Sequence, residues 1–303
     1  MKKINSNKKI GKKRKEKSDA KTDSRFIKDF EKKVLRTIKK YNLLNKNDKI
    51  AVACSGGKDS TVALYIVNKL FKNVTAIAID EGISGYRNKT IEYLKKFCSQ
   101  NKIKLRIYSF KEEFGMPAEA IFKIVKKNPC TTCGILRRWL LNKKTQRYTK
   151  LVTGHSIEDE AEAIMMNLLK TNLVANARLG PISGIITDSR FTPRVKPLYL
   201  CREKDIVRYA NAIGLTVFKK SCPYRKDAFR LSVKKMFDSL ESGHENIREA
   251  LIKEHLKNLE KIKKAFYTRK KIKHCGICKL PSRNEICNAC KITQEIDNMR
   301  NKK

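Results

Sequence analysis

The stretch Lys49-Ile50-Ala51-Val52-Ala53-Cys54-Ser55-Gly56-Gly57-Lys58-Asp59-Ser60 decides the fold of this chain. Its first half is a short apolar run, which is typical of a buried parallel strand. Apolar residues at helical spacing follow it, from Val62 to Leu70. The two glycines let the backbone bend, so that amide groups and a helix N-terminus can face one anionic group. The stretch therefore predicts a strand, a phosphate-binding loop and a helix.

The predicted loop does not have the G-x-x-x-x-G-K-S/T spacing of the Walker loop. Ser55-Gly56-Gly57-Lys58-Asp59-Ser60 instead resembles the signature of the PP-loop ATP pyrophosphatases. The resemblance implies that ATP is cleaved between its α and β phosphates, with AMP and pyrophosphate as products. The alternative is a glycine-rich turn that precedes a helix by chance.

The composition predicts a basic α/β protein. The 303 residues suffice for one α/β domain with appendages. Lys and Arg number 70 against 30 Asp and Glu, which gives a net charge of +40. The first 21 residues hold ten basic and two acidic residues, a net of +8, so the rest of the chain keeps +32. This excess favours a polyphosphate partner, with RNA as the leading candidate, over a general lysine-rich bias.

Two features indicate a cytoplasmic enzyme. No run approaches 18 apolar residues, and no apolar core follows the N-terminal charges, so we expect neither a membrane span nor a signal peptide. Ten cysteines in such an enzyme indicate metal binding or catalysis rather than structural disulfides. Lys12-Lys13-Arg14-Lys15 could be a nuclear signal, but an RNA-contacting arm is the simpler interpretation.

Strand-like and helical segments alternate along the chain, which predicts an α/β fold with a doubly wound parallel sheet. A first helix is expected from residue 23 or 24 to about 41, and another over 202–213. The strand-like runs are 48–54, 74–80, 103–109 and 150–153, with a further one near 215–218. The predicted organisation is a disordered basic tail (1–24), a PP-loop catalytic domain (25–226), a helical lysine-rich extension (227–271) and a zinc finger with the C-terminal tail (272–303).

Polar motifs follow three of these strands, at Ser55, at Asp80-Glu81-Gly82 and at Gly154-His155-Ser156-Ile157-Glu158-Asp159. Ligands of open α/β sheets bind at the carboxyl ends of strands, so the three motifs predict one nucleotide pocket. An acidic residue in a phosphate loop requires a cation, so we assign Asp59 and Asp159 to Mg²⁺. Lys58 would neutralise the departing pyrophosphate. We expect His155 to be a hydrogen-bonding wall residue rather than a general base.

Four cysteines near the C-terminus form a C-x2-C-x8-C-x2-C array. They are Cys275, Cys278, Cys287 and Cys290. Two such knuckles can close a tetrahedral four-thiolate Zn²⁺ site, which has no open position for catalysis. Metal binding would replace a core that so short a segment cannot build. The array therefore predicts a structural zinc.

A second cysteine pair lies in Cys130-Thr131-Thr132-Cys133. A lone C-x-x-C fits a redox pair, half a zinc site or iron–sulfur ligation. The nearby Arg137 and Arg138 should lower the pKa values of these thiols and favour thiolates. Cys222 is a candidate third member, although spacing alone does not attach it to the pair.

The combination of motifs resembles the TtuA/NcsA family of tRNA 2-thiouridine synthetases. The resemblance covers about residues 25–290, and it rests on four motifs and the terminal cysteine array. The motifs are Ser55–Ser60, Asp80–Arg87, Cys130–Gly134 with Arg137-Arg138, and Cys222-Pro223-Tyr224 with Ala228-Phe229-Arg230.

The resemblance implies that Cys130, Cys133 and Cys222 bind a 4Fe–4S cluster whose free iron holds an extra sulfur, or carry sulfur directly. It also implies that Ala53 and Ile79 flank the adenine through backbone groups, and that Arg137 approaches the α-phosphate or adenylate. The remaining implied nucleotide contacts are Gly154 and the loop Ser55, Gly56, Gly57, Lys58, Asp59 and Ser60. Uridine O2 would be adenylated and then replaced by sulfur, which gives 2-thiouridine and AMP.

The chain departs from the family pattern at two places. Residues 1–24 contain no cysteine for an N-terminal zinc finger, and the usual G-H-N-x-D-D is here Gly154-His155-Ser156-Ile157-Glu158-Asp159. A related tRNA 2-thiocytidine synthetase and a non-catalytic tRNA-binding protein with a relic nucleotide site are the alternatives. The sulfur donor, sulfide or a thiocarboxylated ubiquitin-like carrier, and the target uridine stay open. The resemblance suggests a homodimer.

Overall fold

The computed structural model describes residues 3–185, 188–215, 221–227, 229–267 and 272–301, with side chains from residue 22 onward except those of 226 and 227. Within these residues the chain forms one parallel sheet of five strands. The strands are β1 (Ile50–Ala53), β2 (Val74–Asp80), β3 (Lys104–Ser109), β4 (Lys150–Val152) and β5 (Arg194–Val195). Their order is β3-β2-β1-β4-β5, so the direction of winding reverses between β1 and β4. This reversal is the position at which doubly wound sheets bind ligands.

Helices and one 3₁₀ turn, Pro223–Asp227, connect and cover the strands. The helices are α1 (Lys3–Lys40), α2 (Lys58–Leu70), α3 (Arg87–Gln100), α4 (Phe110–Phe114), α5 (Ala118–Ile124), α6 (Pro129–Thr145), α7 (Ile157–Leu169), α8 (Leu173–Asn176), α9 (Glu203–Ala212), α10 (Phe229–Glu241), α11 (Ile247–Phe266) and α12 (Asn288–Arg300). None of the described helices combines the length and the apolar character needed to cross a bilayer.

The predicted parallel sheet is confirmed, and its main core lies between β1, α2, α9 and α1. The four strand-like runs match β1 to β4, and α9 matches the helix expected over 202–213. The two-residue strand β5 was missed because Pro193 and Pro197 flank it and interrupt any strand pattern. Residues 216–218 of the strand expected near 215–218 lie outside the described residues.

Helix α1 differs from the expected disordered tail, because its helical backbone begins at Lys3. The segment contains no proline, which would interrupt a helix, and it is rich in lysine, which is a good helix former. The second half of α1 is anchored by Phe30, Val34 and Ile38, which are buried in the main core. Their spacing of four residues places them on one face of the helix.

The C-terminal segments pack onto the catalytic domain rather than standing apart from it. Helices α10 and α11 contact α7 around Phe237 and Ile252. Helix α12 buries Ala289, Ile292 and Ile296 in a cluster with residues of α4, α5 and α6. Arg300 at the end of α12 donates a hydrogen bond from Nη2 to the carbonyl oxygen of Phe114, at 2.7 Å.

Candidate active site

The phosphate loop between β1 and α2 has the expected sharp bend. Gly56 has φ of +81°, and a Cβ there would lie 2.7 Å from the carbonyl oxygen of Thr90, so both conformation and space require glycine. The Ser55 and Ser60 hydroxyls lie 3.1 Å apart, and Ser60 Oγ donates to the carbonyl of Gly57 at 3.0 Å. The loop leads into the N-terminus of α2 at Lys58, which gives an anion-binding geometry.

A cavity of about 510 Å³ opens beside this loop at the strand ends. Its wall includes eight of the predicted nucleotide-site residues, which are Ala53, Ser55, Asp59, Ser60, Ile79, Arg137, Gly154 and Asp159. Gly56, Gly57 and Lys58 form the adjoining loop and do not belong to the lining. The structure therefore brings the three predicted strand-end motifs to one cavity, of a size typical for small-molecule sites.

Gly154 explains how closely β4 and the phosphate loop approach each other. A Cβ at this position would lie 2.7 Å from the carbonyl carbon and oxygen of Asp59 and 2.8 Å from the amide nitrogen of Ser60. These are backbone atoms in the first turn of α2, so they cannot move aside as a side chain could. A glycine is needed here for close packing.

Lys58 is held by two carboxylates. Its Nζ lies 2.5 Å from Glu203 Oε1 and 3.1 Å from Asp59 Oδ2. Burial lowers the pKa of Lys58, but the charges of Asp59 and Glu203 outweigh it and raise the pKa, so the ammonium stays charged. Glu203, in the first turn of α9, was not anticipated from the sequence because it lies 145 residues from Lys58.

Asp59 and Asp159 form an acidic pair that suits a divalent cation. Burial raises the pKa of Asp59 to about 6 against the opposing effect of Lys58, and the charge of Asp159 adds to the increase. Asp59 Oδ1 is buried without a hydrogen-bond partner. Asp159 Oδ1 accepts from Arg230 Nη1 at 2.9 Å. An unpaired buried carboxylate oxygen beside a second acid is the kind of donor set that fits Mg²⁺.

A chain of charged side chains, in which Glu81 and Arg87 are buried and Arg137 is half exposed, joins the cavity to the α6 cysteines. Glu81 Oε2 lies 2.8 Å from Arg87 Nε, and Glu81 Oε1 lies 3.5 Å from Arg137 Nη1. Arg87 also donates from Nε to the carbonyl of Ile79 at 2.8 Å and from Nη1 to the carbonyl of Ser55 at 2.5 Å. The carbonyl oxygen of Ile79 therefore already accepts from Arg87. Arg87 belongs to the Asp80–Arg87 motif, but its hydrogen bonds to the carbonyl groups of Ile79 and Ser55 were not predicted from the sequence.

His155 is a wall residue of the cavity. Its Nδ1 lies 3.1 Å from the Thr153 hydroxyl, and burial lowers its pKa. Behind it, Lys196 Nζ and Glu160 Oε2 form a buried ion pair of 2.7 Å that also lines the cavity. The hydrogen bond and the neutral form agree with the expected hydrogen-bonding role.

The three cysteines of the second group lie in one neighbourhood. Cys130 Sγ donates a hydrogen bond to the carbonyl of Tyr224 at 3.0 Å, which places the Cys222 segment against the start of α6. Charges at Cys222 and Cys130 both raise the pKa of Cys133, as expected for neighbours. In the described residues the three sulfurs do not form a set in which all lie within 4.8 Å.

The expected lowering of the thiol pKa values is wrong for Cys133. Burial raises its pKa to about 12, the charge of Glu81 adds to the increase, and Arg137 opposes it only in part. Arg137 cannot dominate because Glu81 already neutralises it. The sequence shows the arginine but not its long-range carboxylate partner.

The four terminal cysteines are arranged for a single metal ion. Their sulfur atoms all lie within 4.8 Å of one another. Cys278 Sγ and Cys287 Sγ are 3.8 Å apart, and Zn–S bonds of about 2.3 Å in a tetrahedron give about 3.8 Å between sulfurs. Burial raises the pKa of Cys275, but amide donors from Cys287, Cys278 and Ile277 outweigh it and bring the pKa to about 6. This donor set fits Zn²⁺.

Comparison with known proteins defines the class first. Residues 27–236 match the family model of the PP-loop domain, so the chain belongs to that family. Over 271 residues it is 36% identical to the tRNA-5-methyluridine(54) 2-sulfurtransferase of Pyrococcus horikoshii, covering 89% of this chain and 86% of that protein. Over 282 residues it is 34% identical to the cytoplasmic tRNA 2-thiolation protein 1 of Caenorhabditis briggsae, covering 90% and 74%.

A solved structure gives the same assignment. The U34-tRNA thiolase NcsA from Methanococcus maripaludis, with its 4Fe–4S cluster, superposes with a TM-score of 0.75 at 32% identity and covers 90% of this chain and 88% of that one. Within the PP-loop class the chain is therefore a tRNA sulfurtransferase of the TtuA/NcsA family. The predicted family and fold are confirmed.

Proposed function

We propose that this enzyme converts a uridine of tRNA to 2-thiouridine in two steps inside the described cavity. ATP would first transfer AMP to uridine O2 with release of pyrophosphate, and hydrosulfide would then displace AMP at C2. The sum is uridine, ATP and hydrosulfide giving 2-thiouridine, AMP and pyrophosphate. The observation that carries the proposal is the Glu81–Arg137 pair, which joins the phosphate cavity to the cysteines of α6.

In the first step the phosphate loop would bind the ATP phosphates. Lys58 would exchange its contact with Glu203 for the β-phosphate and neutralise the leaving pyrophosphate. Asp59 and Asp159 would hold Mg²⁺, which supplies charge neutralisation to the same phosphates. Arg137, Ala53 and Ile79 line the cavity. Arg137 would approach the α-phosphate, and Ala53 and Ile79 would flank the adenine.

In the second step sulfur would enter from the side of α6. The uridine must leave its stack before its C2 can reach the cavity, as for other enzymes that act on bases. Cys130, Cys133 and Cys222 would hold a 4Fe–4S cluster, which when bound supplies an iron site for an exogenous sulfur. Sulfide or a thiocarboxylated carrier protein would be the donor. The enzyme would act in the cytoplasm, on tRNA, as a homodimer.

Two variants separate the steps. Lys58→Ala should abolish formation of AMP and pyrophosphate, because the leaving group loses its counter-ion. Cys222→Ala should leave adenylation largely intact and remove thiolation. Cys98→Ala is a matched control, since Cys98 is buried in the main core away from the cavity lining. The readouts are AMP and pyrophosphate release from ATP and tRNA, and mass spectrometry of 2-thiouridine at positions 34 and 54.

Full thiolation by Cys222→Ala would refute the role of the cysteines. No AMP release by the unmodified enzyme with tRNA and ATP would refute the whole proposal. Anaerobic purification with counting of iron, sulfide and zinc tests the metals. Iron together with zinc supports the cluster, whereas zinc alone with persistent thiolation supports sulfur transfer at these cysteines without a cluster.

A further inference from the structure

Two arginines of the cavity wall lack a counter-ion. Arg138 on α6 and Arg194 on β5 both line the cavity, and neither forms an ion pair with a carboxylate in the described part of the chain. Two other arginines of the cavity wall do form ion pairs, Arg137 with Glu81 and Arg230 with Asp159. The two guanidinium groups therefore form a positively charged part of the cavity wall that no carboxylate of the described residues pairs with.

The contacts of Arg194 hold it in place without neutralising it. Its Nη2 donates to Asn142 Oδ1 at 2.6 Å and approaches the carbonyl oxygen of Arg138 at 3.5 Å. Its guanidinium stacks over the Phe191 ring, 5.5 Å from the centroid. Its Nε is buried without a hydrogen-bond partner. Neutral acceptors fix the orientation, and one donor remains unused.

Arg138 is placed beside the α6 cysteines. A Cβ added to Gly134 would lie 3.1 Å from Arg138 Nη1, so the guanidinium lies over the helical turn that contains Cys133. Burial lowers the pKa of Arg138, and the positive charges of Arg137 and Arg230 add to this effect. Burial and the same repulsion, from Arg138 and Arg137, lower the pKa of Arg194 to about 10. An anion bound between the two arginines would relieve this repulsion.

We propose that Arg138 and Arg194 together bind a backbone phosphate of the tRNA next to the uridine that enters the cavity. The inference rests on the proposed function. Arginine forks match phosphate oxygens in a bidentate manner, and such contacts fix the register of a nucleic acid. The ATP phosphates already have a loop, at the end of β1, whereas β5 lies beyond β4 on the other side. A base that reaches a point between this loop and Cys133 must bring its own phosphate.

The test compares an Arg138→Gln/Arg194→Gln double variant with the unmodified enzyme. We expect the dissociation constant for unmodified tRNA to rise about ten- to hundredfold at moderate salt. The slope of log affinity against log salt should become shallower by about one, because the variant no longer neutralises one backbone phosphate. ATP affinity without tRNA should not change. The charge-matched control is Lys104→Gln/Arg147→Gln. These exposed side chains lie at the start of β3 and just before β4, so they are at the N-terminal ends of the strands, opposite the cavity.

Two other outcomes would overturn the inference, and a third concerns the proposed function. Weaker ATP binding with unchanged tRNA binding would overturn the inference, because the arginines would then hold a nucleotide phosphate. Unchanged binding of both would overturn it as well. If the unmodified enzyme bound tRNA but formed no AMP, the proposed function would fail independently of these arginines.

If the double variant does not fold, two conservative single variants take its place. Arg138→Lys and Arg194→Lys keep the charge but lose the planar fork. Each should retain the salt slope and weaken tRNA binding, with thiolation falling in proportion to bound tRNA. Equal affinity of both lysine variants and the unmodified enzyme would contradict a bidentate phosphate site.

Discussion

At the residue scale, helix α7 carries three buried acids whose environments differ. Glu160 forms a 2.7 Å ion pair with Lys196, and Glu158 accepts from the Ser156 hydroxyl and the backbone amide of Glu203. Glu162 has a weaker partner, since its ion pair with Arg230 Nε spans 3.8 Å. Burial therefore raises the pKa of Glu162 to about 7 despite Arg230, and the charge of Asp159 contributes. This residue should make stability depend on pH.

The direction of this effect follows from proton binding. Between its ordinary pKa of 4.5 and about 7, Glu162 keeps a proton in the folded state that the unfolded chain releases. The free energy of unfolding therefore falls as pH rises through this window, by at most about 3 kcal/mol. Glu162→Gln should match the unmodified protein at pH 5 and exceed it in stability at pH 8, as measured by urea unfolding.

The exposed Glu92 on α3 provides the control for this experiment. Glu92→Gln should change stability little at either pH, because its carboxylate is solvated in both states. An equal effect of Glu162→Gln at pH 5 and pH 8 would show that its carboxylate is not the titrating group.

At the element scale, helix α12 connects the four-cysteine site with α6, the helix that carries Cys130 and Cys133. The N-terminus of α12 begins within the four-cysteine site, because the cap residue Cys287 accepts from the amide of Cys290. Its apolar face then packs on α5 and α6 through Ala289, Ile292 and Ile296. Removing zinc should release this helix and expose the apolar residues beneath it.

Hydrogen exchange measures this coupling directly. After zinc is removed with a chelator, amides of α5, α6 and α12 should exchange faster, while those of α3 on the far side of the sheet should stay protected. The same measurement is made on Cys130→Ala protein, in which iron binding is prevented. It distinguishes the effect of zinc loss on exchange from any effect of iron loss. Unchanged protection of α6 would mean that α12 does not support the cysteine site.

The sequence predicted elements better than it predicted their contacts. Strands β1 and β2 were predictable because they are largely apolar runs, and β3 because apolar Leu105 and Ile107 alternate with charged residues. The docking of α12 was not predicted, because it depends on a face that the cysteine array obscures. The spacing of Ala289, Ile292 and Ile296 could have revealed it, since these positions share one side of a helix. Partners such as Glu203 for Lys58 could not be predicted, because nothing local encodes a contact across 145 residues.

At the scale of the whole molecule, the charge is divided between the body and the start of α1. The body retains +32 of the net +40 after the first 21 residues are excluded. These residues precede Phe30, Val34 and Ile38, which anchor α1 in the main core. The charge of the segment is suited to contact a polyanion, and the helix that it precedes is fixed to the catalytic domain.

Deletion of residues 1–21 should therefore weaken tRNA binding without unfolding the protein. We expect a lower affinity at low salt and a salt slope that is shallower by about 0.7–0.9 for each phosphate that the segment neutralises. The unfolding midpoint and the ATP affinity should stay the same, since the anchoring residues of α1 remain. A full-length variant with the ten basic residues of this segment changed to Gln separates charge from chain length. It should behave like the deletion, whereas normal tRNA binding by this variant would show that the charge of the segment does not bind tRNA.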